Sequence, residues 1–411
     1  SLKMQGWIRQ QTYSPESEKT LRRFSSWELG ELILKVNQST LRGKLAADPS
    51  LPQGLVEEDG RQRWFTLDEI NEIRRKLRIN RQTLQPRRPA GKRALRAAIA
   101  NFKGGAGKST VALHFAHAAA LDGYRVLTID FDPQATLSHS MGLSDVAEEY
   151  TVWGIMARDL IRETERMNSS ARGAESGMAP AQRRLPASIT EMGLADLRLA
   201  DFIKPTSWPT IDIVPSCANA AFVEFASAQY RHLNPEWSFF AAVSRFLDQL
   251  PADSYDLIIF DTPPQLNFSV ISALFASNGV LIPLNASMLD VMSLASFLGM
   301  ASNLMGVVES HAPEHGLDFV RVLITRYENT DGPQVQISSL LRTVLGEAVL
   351  PAEFLKSTAV GDAANTQQSI FEVEPREVNR RTYERAIESV SRVTDEIERD
   401  MLKAWGRSHG A

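Results

Sequence analysis

Residues 103–110 read Lys-Gly-Gly-Ala-Gly-Lys-Ser-Thr, a spacing that suits phosphate chemistry. Glycines 104, 105 and 107 allow the backbone to curl so that its N–H groups converge on phosphate oxygens. Lys108 brings a point charge to the β- and γ-phosphates, and the Ser109 hydroxyl offers an oxygen to Mg²⁺. The nucleotide-contacting set is therefore Gly104, Gly105, Ala106, Gly107, Lys108, Ser109 and Thr110. The competing interpretation, a glycine-rich turn without a ligand, does not explain a Lys-Ser pair at the start of a helix.

Two acidic segments complete the chemistry. Residues 125–130 form a β-rich apolar run closing on Asp130-Phe-Asp-Pro-Gln134. Strand alternation points Asp130 and Asp132 the same way. Residues 255–261 form a second buried-strand run ending in Asp261, stopped by Pro263 and Pro264. A carboxylate at that position holds Mg²⁺ through a water or through the phosphate-loop serine.

These residues need strands to carry them and helices to flank the strands. An apolar run at 95–100 enters the glycine loop, and Val111, Ala112, Phe115, Ala116 and Ala119 follow with helical spacing. Further strand candidates lie at 211–215, 280–284 and 320–326. The expected fold class is α/β: a P-loop NTPase with a mainly parallel sheet flanked by helices. Its ligand would sit at the carboxyl ends of the strands. A small helix-turn-helix module precedes it, giving domains at 1–90 and 91–411 with a Pro-, Gly- and Arg-rich connector at 82–92. Residues 168–186 read as a surface insertion.

Composition agrees with a globular chain: 411 residues, 43% hydrophobic and 23% charged. No apolar run approaches the roughly 20 residues of a membrane span. The first residues lack a signal-peptide core, and a single cysteine, Cys217, excludes an internal disulfide and argues against a cysteine metal cluster. The expectation is a cytoplasmic protein without a membrane partner. Charge is uneven: residues 1–97 carry 20 Lys+Arg against 11 Asp+Glu, leaving 25 against 38 for the remainder. A basic front end on an acidic body suggests that the front end meets a polyanion.

The pattern at 24–77 gives that front end a form. Ser25 or Ser26 caps a helix from Trp27 to Val36, Asn37-Gln38 makes a turn, and Ser39 or Thr40 caps a second helix to Ala47. In such a helix-turn-helix the second helix enters the major groove, with Arg42 and Lys44 near bases and Ser39 and Thr40 near phosphates. Asp59-Gly60 signals a hairpin that puts Arg61 and Arg63 beside the duplex. Thr66 and Glu69 form a capping box for a third helix. The ordering resembles a MerR-like winged helix-turn-helix. Near the C-terminus, residues 373–385 open a long helix on which Arg376, Arg380, Arg381 and Arg385 gather positive charge, intermixed with Glu374, Glu377 and Glu384.

The loop lacks the usual first glycine, having Phe102 there, and carries an additional lysine, Lys103. This form resembles the deviant Walker A motif of the ParA/MinD family, in its longer plasmid-partition members. The resemblance implies that Lys103 crosses a homodimer interface to the partner's ATP. It also implies that Asp132 orients the attacking water and that Asp130 joins Ser109 and Asp261 around Mg²⁺. Thr325 and Arg326 would lie near the adenine. It further implies partition: an ATP-bound dimer holding nucleoid DNA without sequence preference, a ParB-type centromere-binding partner that stimulates hydrolysis, and an N-terminal module that represses its own operon. A nucleotide-sensing transcriptional regulator with little turnover is the alternative. A MinD-like membrane cycle lacks a convincing terminal amphipathic anchor, and an iron-protein-like reductase lacks the cysteines.

Overall fold

The computed structural model describes residues 19–57, 62–79, 82–86, 88–172, 185, 189, 193–233, 235–309, 316–376 and 378–406. At the front, β1 (Phe24–Ser25) leads into α1 (Glu28–Ile33), a short helix closed by a Leu34 N–H to Leu29 carbonyl bond of 2.9 Å. The Ser25 N–H and hydroxyl donate to the Glu28 carboxylate at 2.8 and 2.9 Å, and the Glu28 N–H donates back to Ser25 at 3.3 Å. The first helix ends at Ile33 rather than Val36, because Lys35 turns the chain through a φ of +53°.

The second helix, α2 (Gln38–Ala47), buries Leu41 and Leu45 and leaves Ser39, Thr40, Arg42 and Lys44 exposed. Its cap is Asn37, whose side chain accepts the Ser39 N–H at 2.9 Å, so Ser39 and Thr40 lie inside the first turn. Strands β2 (Leu55–Val56) and β3 (Arg63–Phe65) pair antiparallel, and β3 also pairs with β1. The hairpin turn at Asp59 and Gly60, and Arg61 with it, lie outside the described residues. The Thr66–Glu69 capping box opens α3 (Leu67–Lys76) as its sequence requires. A small ladder, β4 (Arg78–Ile79) with β5 (Gln82–Thr83), occupies part of the expected connector.

The body is an eight-stranded sheet in the order β13-β12-β11-β6-β10-β7-β9-β8. These are β6 (Leu95–Ile99), β7 (Val126–Asp130), β8 (Lys204–Pro205), β9 (Ile211–Val214), β10 (Leu257–Asp261), β11 (Gly279–Asn285), β12 (Phe319–Tyr327) and β13 (Phe354–Leu355). All neighbours are parallel except β8 with β9. The central strands are buried on both faces, which is why they read as unbroken apolar runs. Register pairs Asp261 with both Ile99 and Asp130, so the glycine loop and both strand-end aspartates meet at one edge.

Helix α4 (Lys108–Leu121) follows the loop and is buried along almost its whole length. One side packs on the sheet; the other is covered by the N-terminal segment and by the long C-terminal helix, all within one hydrophobic cluster. That helix, Arg380–Ala404, starts later than its sequence suggests. Asn379 caps it by accepting from the N–H groups of Arg381 and Thr382. Arg376 therefore lies in the preceding loop: its guanidinium sits 5.4 Å from the Trp64 ring centroid and donates to Gln62 at 3.0 Å. Residues 168–172 of the expected insertion continue the helix Val152–Arg172. No helix among the described residues is long and apolar enough to cross a membrane.

Candidate functional site

The glycine loop is shaped as a cradle. Gly105 and Gly107 have φ of +77° and +84°, conformations that L side chains rarely adopt. A Cβ at Gly104, Gly105 or Gly107 would meet nothing within 4 Å, so the space in front of the loop is open. From behind, the Thr325 hydroxyl donates to the Ala106 carbonyl at 2.9 Å. Thr325 is buried and braces the loop; Arg326 beside it is exposed. Asn101 fixes the loop's entry by donating to the Pro283 carbonyl at 2.6 Å and accepting the Lys103 N–H at 3.3 Å.

Lys108 is buried, and its ammonium donates to the Lys103 carbonyl at 3.3 Å. Burial lowers its pKa, while Asp261 and Asp132 pull the other way. Asp261 is fully buried, and neither carboxylate oxygen has a hydrogen-bond partner. Burial pushes its pKa well above the usual carboxylate range; Asp130 adds to the shift, and Ser109 nearby opposes it. A buried, unpartnered carboxylate beside a hydroxyl and an open phosphate cradle is the setting a divalent cation satisfies. Among the described residues no three His, Cys, Asp or Glu side chains gather as a metal cage. A cation here must take its remaining oxygens from phosphate and water, as Mg²⁺ commonly does.

Asp130 differs. One oxygen accepts the Asp132 N–H at 3.0 Å; the other accepts the Ser138 N–H and hydroxyl at 2.9 and 2.7 Å. Its pKa is raised to about 7 by burial, with these hydrogen bonds opposing. Asp132 is half-buried at the rim of the cradle, accepting the Gln134 N–H at 2.9 Å.

Lys103 lies on the near side of the loop, its ammonium 2.7 Å from Asp290. Asp290 went unnoticed in the sequence as a functional residue. Its one signal there is Ser287 three residues earlier, whose hydroxyl bonds the same carboxylate. Asp290 opens the helix Met288–Glu309, on which Met288, Leu289 and Met292 are exposed. Phe102 packs edge-on against Phe297 of that helix, centroids 4.8 Å apart.

The residues proposed for DNA are spread over two places. Arg42 and Lys44 project from α2. Arg63 is half-buried and donates to Gln53 at 3.3 Å. Arg380 pairs with Glu384 at 2.8 Å, whereas Arg381 and Arg385 are exposed and make no ion pair among the described residues.

A parallel sheet whose central strand feeds a glycine loop and a buried helix, with a strand-end aspartate alongside, defines a P-loop nucleotide-binding protein. The AAA domain family profile matches residues 96–310. The chain is 36% identical over 406 residues to "Putative replication protein A" of Rhizobium rhizogenes, covering 96% of this chain and 90% of that protein. It is 28% identical over 380 residues to "Protein SopA" of Escherichia coli strain K12, covering 87% and 83%. A solved structure described as "Partition Protein" superposes with a TM-score of 0.61 at 18% identity, over 97% of this chain and 96% of that one. The chain belongs to the ParA/MinD-type members of the AAA domain family, whose relatives here are partition and replication proteins.

Proposed function

We propose that this chain is a Mg²⁺-dependent partition ATPase that closes into a homodimer on ATP. The observation that carries the enzymatic half is Asp261, a buried carboxylate with two unpartnered oxygens at the foot of an open cradle. Ser109 and Asp261 would hold Mg²⁺, which when bound neutralises phosphate charge. Asp130, its oxygens taken within the chain, acts from outside the coordination shell by fixing the strand ends and Ser138. Lys108 sets its charge against the β- and γ-phosphates, and Asp132 at the rim orients the attacking water. Residues 104–110 supply the remaining N–H donors.

Lys103 of the loop pairs with Asp290, and Met288, Leu289 and Met292 are exposed on the same turns of that residue's helix. A second copy covering that apolar patch brings each Lys103 to its partner's ATP. The dimer then holds nucleoid DNA without sequence preference through the start of the C-terminal helix. A ParB-type centromere-binding protein stimulates hydrolysis and releases it. The exposed row Ser39, Thr40, Arg42 and Lys44, together with Arg61 and with Arg63 of β3, serves operator recognition and autorepression. The protein is cytoplasmic and nucleoid-associated on this reading.

The test is binding to random-sequence duplex DNA with no nucleotide, ADP and ATP–Mg²⁺, alongside the molar mass in solution. Wild type should dimerise and bind DNA only with ATP–Mg²⁺, and Lys108→Ala should lose both. Nucleotide-independent binding unchanged by that substitution, with negligible turnover, would make the chain a regulator instead.

A further inference from the structure

At the amino ends of β6, β7 and β10, across the sheet from the phosphate loop, lies an open groove of about 930 Å³. One wall is the connector at residues 85, 86 and 88–94 with Arg75 of α3; the other is the segment 247–256. Its lining holds six basic residues against three aspartates. Arg96 pairs with Asp248 at 2.7 Å and Arg125 with Asp256 at 3.6 Å. Arg88 spends its guanidinium on backbone, donating to the carbonyls of Tyr255 at 2.8 Å and of Ala252. Arg75, Lys92 and Arg93 are exposed and make no ion pair among the described residues. Arg75, Arg88, Lys92 and Arg93 thus stand against Asp253 alone, in a body whose charge is otherwise acidic.

We propose that this groove is a track for the phosphate backbone of duplex DNA, additional to the surfaces assigned above. Extended, open and lined by cations with long flexible stems, it suits a polyanion more than a small ligand, which wants a concave apolar pocket. Single-stranded nucleic acid wants aromatic platforms for its bases. Tyr255 is the one aromatic residue lining the groove, and its hydroxyl is held by Asp212 at 2.7 Å. With no platform and no fixed donor–acceptor array, the groove reads backbone rather than sequence. Its place on the sheet's amino edge leaves the nucleotide cradle free, so DNA there neither blocks ATP nor depends on the start of the C-terminal helix. Arg75 also links it to the α2–α3 module, so one duplex can run from that module along the connector.

The proposal rests on the DNA-binding reading above, and its test separates the two. In the full-length protein, Lys92→Glu/Arg93→Glu should weaken binding to a random-sequence duplex at least tenfold in every nucleotide state that binds. The slope of log Kd against log salt should fall by about 2, near 0.9 per lost phosphate contact. Turnover without DNA should not change, and Arg198→Glu/Arg231→Glu, an equal charge change at exposed residues outside the groove, should retain the wild-type slope. Neutral Lys92→Gln/Arg93→Gln, with an unchanged melting temperature, should show a smaller loss in the same direction. Wild-type affinity and slope in both groove variants would overturn the groove while leaving the partition reading intact. Wild type failing to bind random DNA in any nucleotide state would overturn both. Loss of poly-glutamate binding with DNA binding intact would make the groove a site for an acidic polypeptide, and would equally overturn this proposal.

Discussion

The ammonium of Lys103 lies 2.7 Å from the buried carboxylate of Asp290 in its own chain, and the Ser287 hydroxyl meets the same oxygen. The lysine that the dimer reading sends to a partner's nucleotide is thus held at home until something displaces it. A partly exposed ion pair of this kind is worth about 1 kcal/mol. Asp290→Asn should therefore lower the ATP concentration needed for dimerisation by roughly fivefold. Lys103→Gln should leave nucleotide binding intact and reduce turnover about 100-fold or more, the usual loss when a transition-state cation is removed. Titrating ATP while following molar mass and phosphate release checks both. Equal midpoints for wild type and Asp290→Asn would show that the pair does not restrain closure.

Asp261 makes the stability of the nucleotide-free protein sensitive to pH. Its pKa is raised in the folded state by burial and by Asp130, itself raised to about 7. The unfolded carboxyl ionises near 4. Above that value the unfolded chain gains by ionising while folded Asp261 stays protonated, so stability declines as pH rises and levels off once the folded group ionises. Asp261→Asn keeps the shape without the charge. Its melting temperature, close to wild type at about pH 4, should exceed wild type by a margin that grows as pH rises from there and levels off once folded Asp261 ionises. ATP–Mg²⁺ should reverse that order, since only wild type has the carboxylate for the cation. Parallel wild-type and variant melting curves across this range would mean that Asp261 is not the destabilising group.

Much of this site was legible because glycine spacing and strand-end acids are local signals. The phosphate loop and the strands ending in Asp130 and Asp261 fall where their sequence places them. What was not legible depends on distant pairing. Thr325, expected beside the adenine, shows its role only when β12 is seen to hold its hydroxyl against the Ala106 carbonyl, 219 residues away. Asp290 acquires its meaning only when the Met288–Glu309 helix is laid beside the loop. The late start of the C-terminal helix turns on Asn379, whose side chain accepts from the N–H groups of Arg381 and Thr382. Helix α4 reads as one apolar face at helical spacing, but it is buried on both sides, and the second covering layer is not visible from its own residues.

The covering of α4 by the N-terminal segment has its own energetic anchor. Arg74 is buried, donating to the Leu121 carbonyl at 2.6 Å and the Ile33 carbonyl at 3.2 Å, so one guanidinium joins α1, α3 and the end of α4. Gly123 has a φ of +96°, and a Cβ there would sit 2.5 Å from the Arg74 guanidinium. Arg74→Ala strands two buried carbonyls and leaves a cavity, a loss of about 3 kcal/mol. Gly123→Ala should destabilise by about 1–3 kcal/mol through strain and displacement of that guanidinium. Urea denaturation measures both. Because the two act on one contact, the double variant should fall short of their sum; full additivity would mean that Gly123 acts independently of Arg74.

The arginines at the start of the C-terminal helix should not contribute equally to DNA binding. Arg376 is engaged by Trp64, Gln62 and, at 3.3 Å, Glu57, and Arg380 is shared with Glu384, so each must give up a partner to meet a phosphate. Arg381 and Arg385, one helical turn apart and exposed, give up nothing. Arg381→Ala and Arg385→Ala should each weaken random-sequence binding by the ATP form and each lower the salt slope by about 1. Neither should alter the melting temperature by more than about 1 °C, as suits exposed side chains. Arg376→Ala should weaken DNA binding less than either, while loosening the Trp64 hairpin that it covers. If Arg376→Ala or Arg380→Ala proved the more damaging to DNA binding, the ion pairs and the stacking on Trp64 would have to open on DNA. The C-terminal helix and the β2–β3 hairpin would then bind as one rearranging surface rather than as a row of free charges.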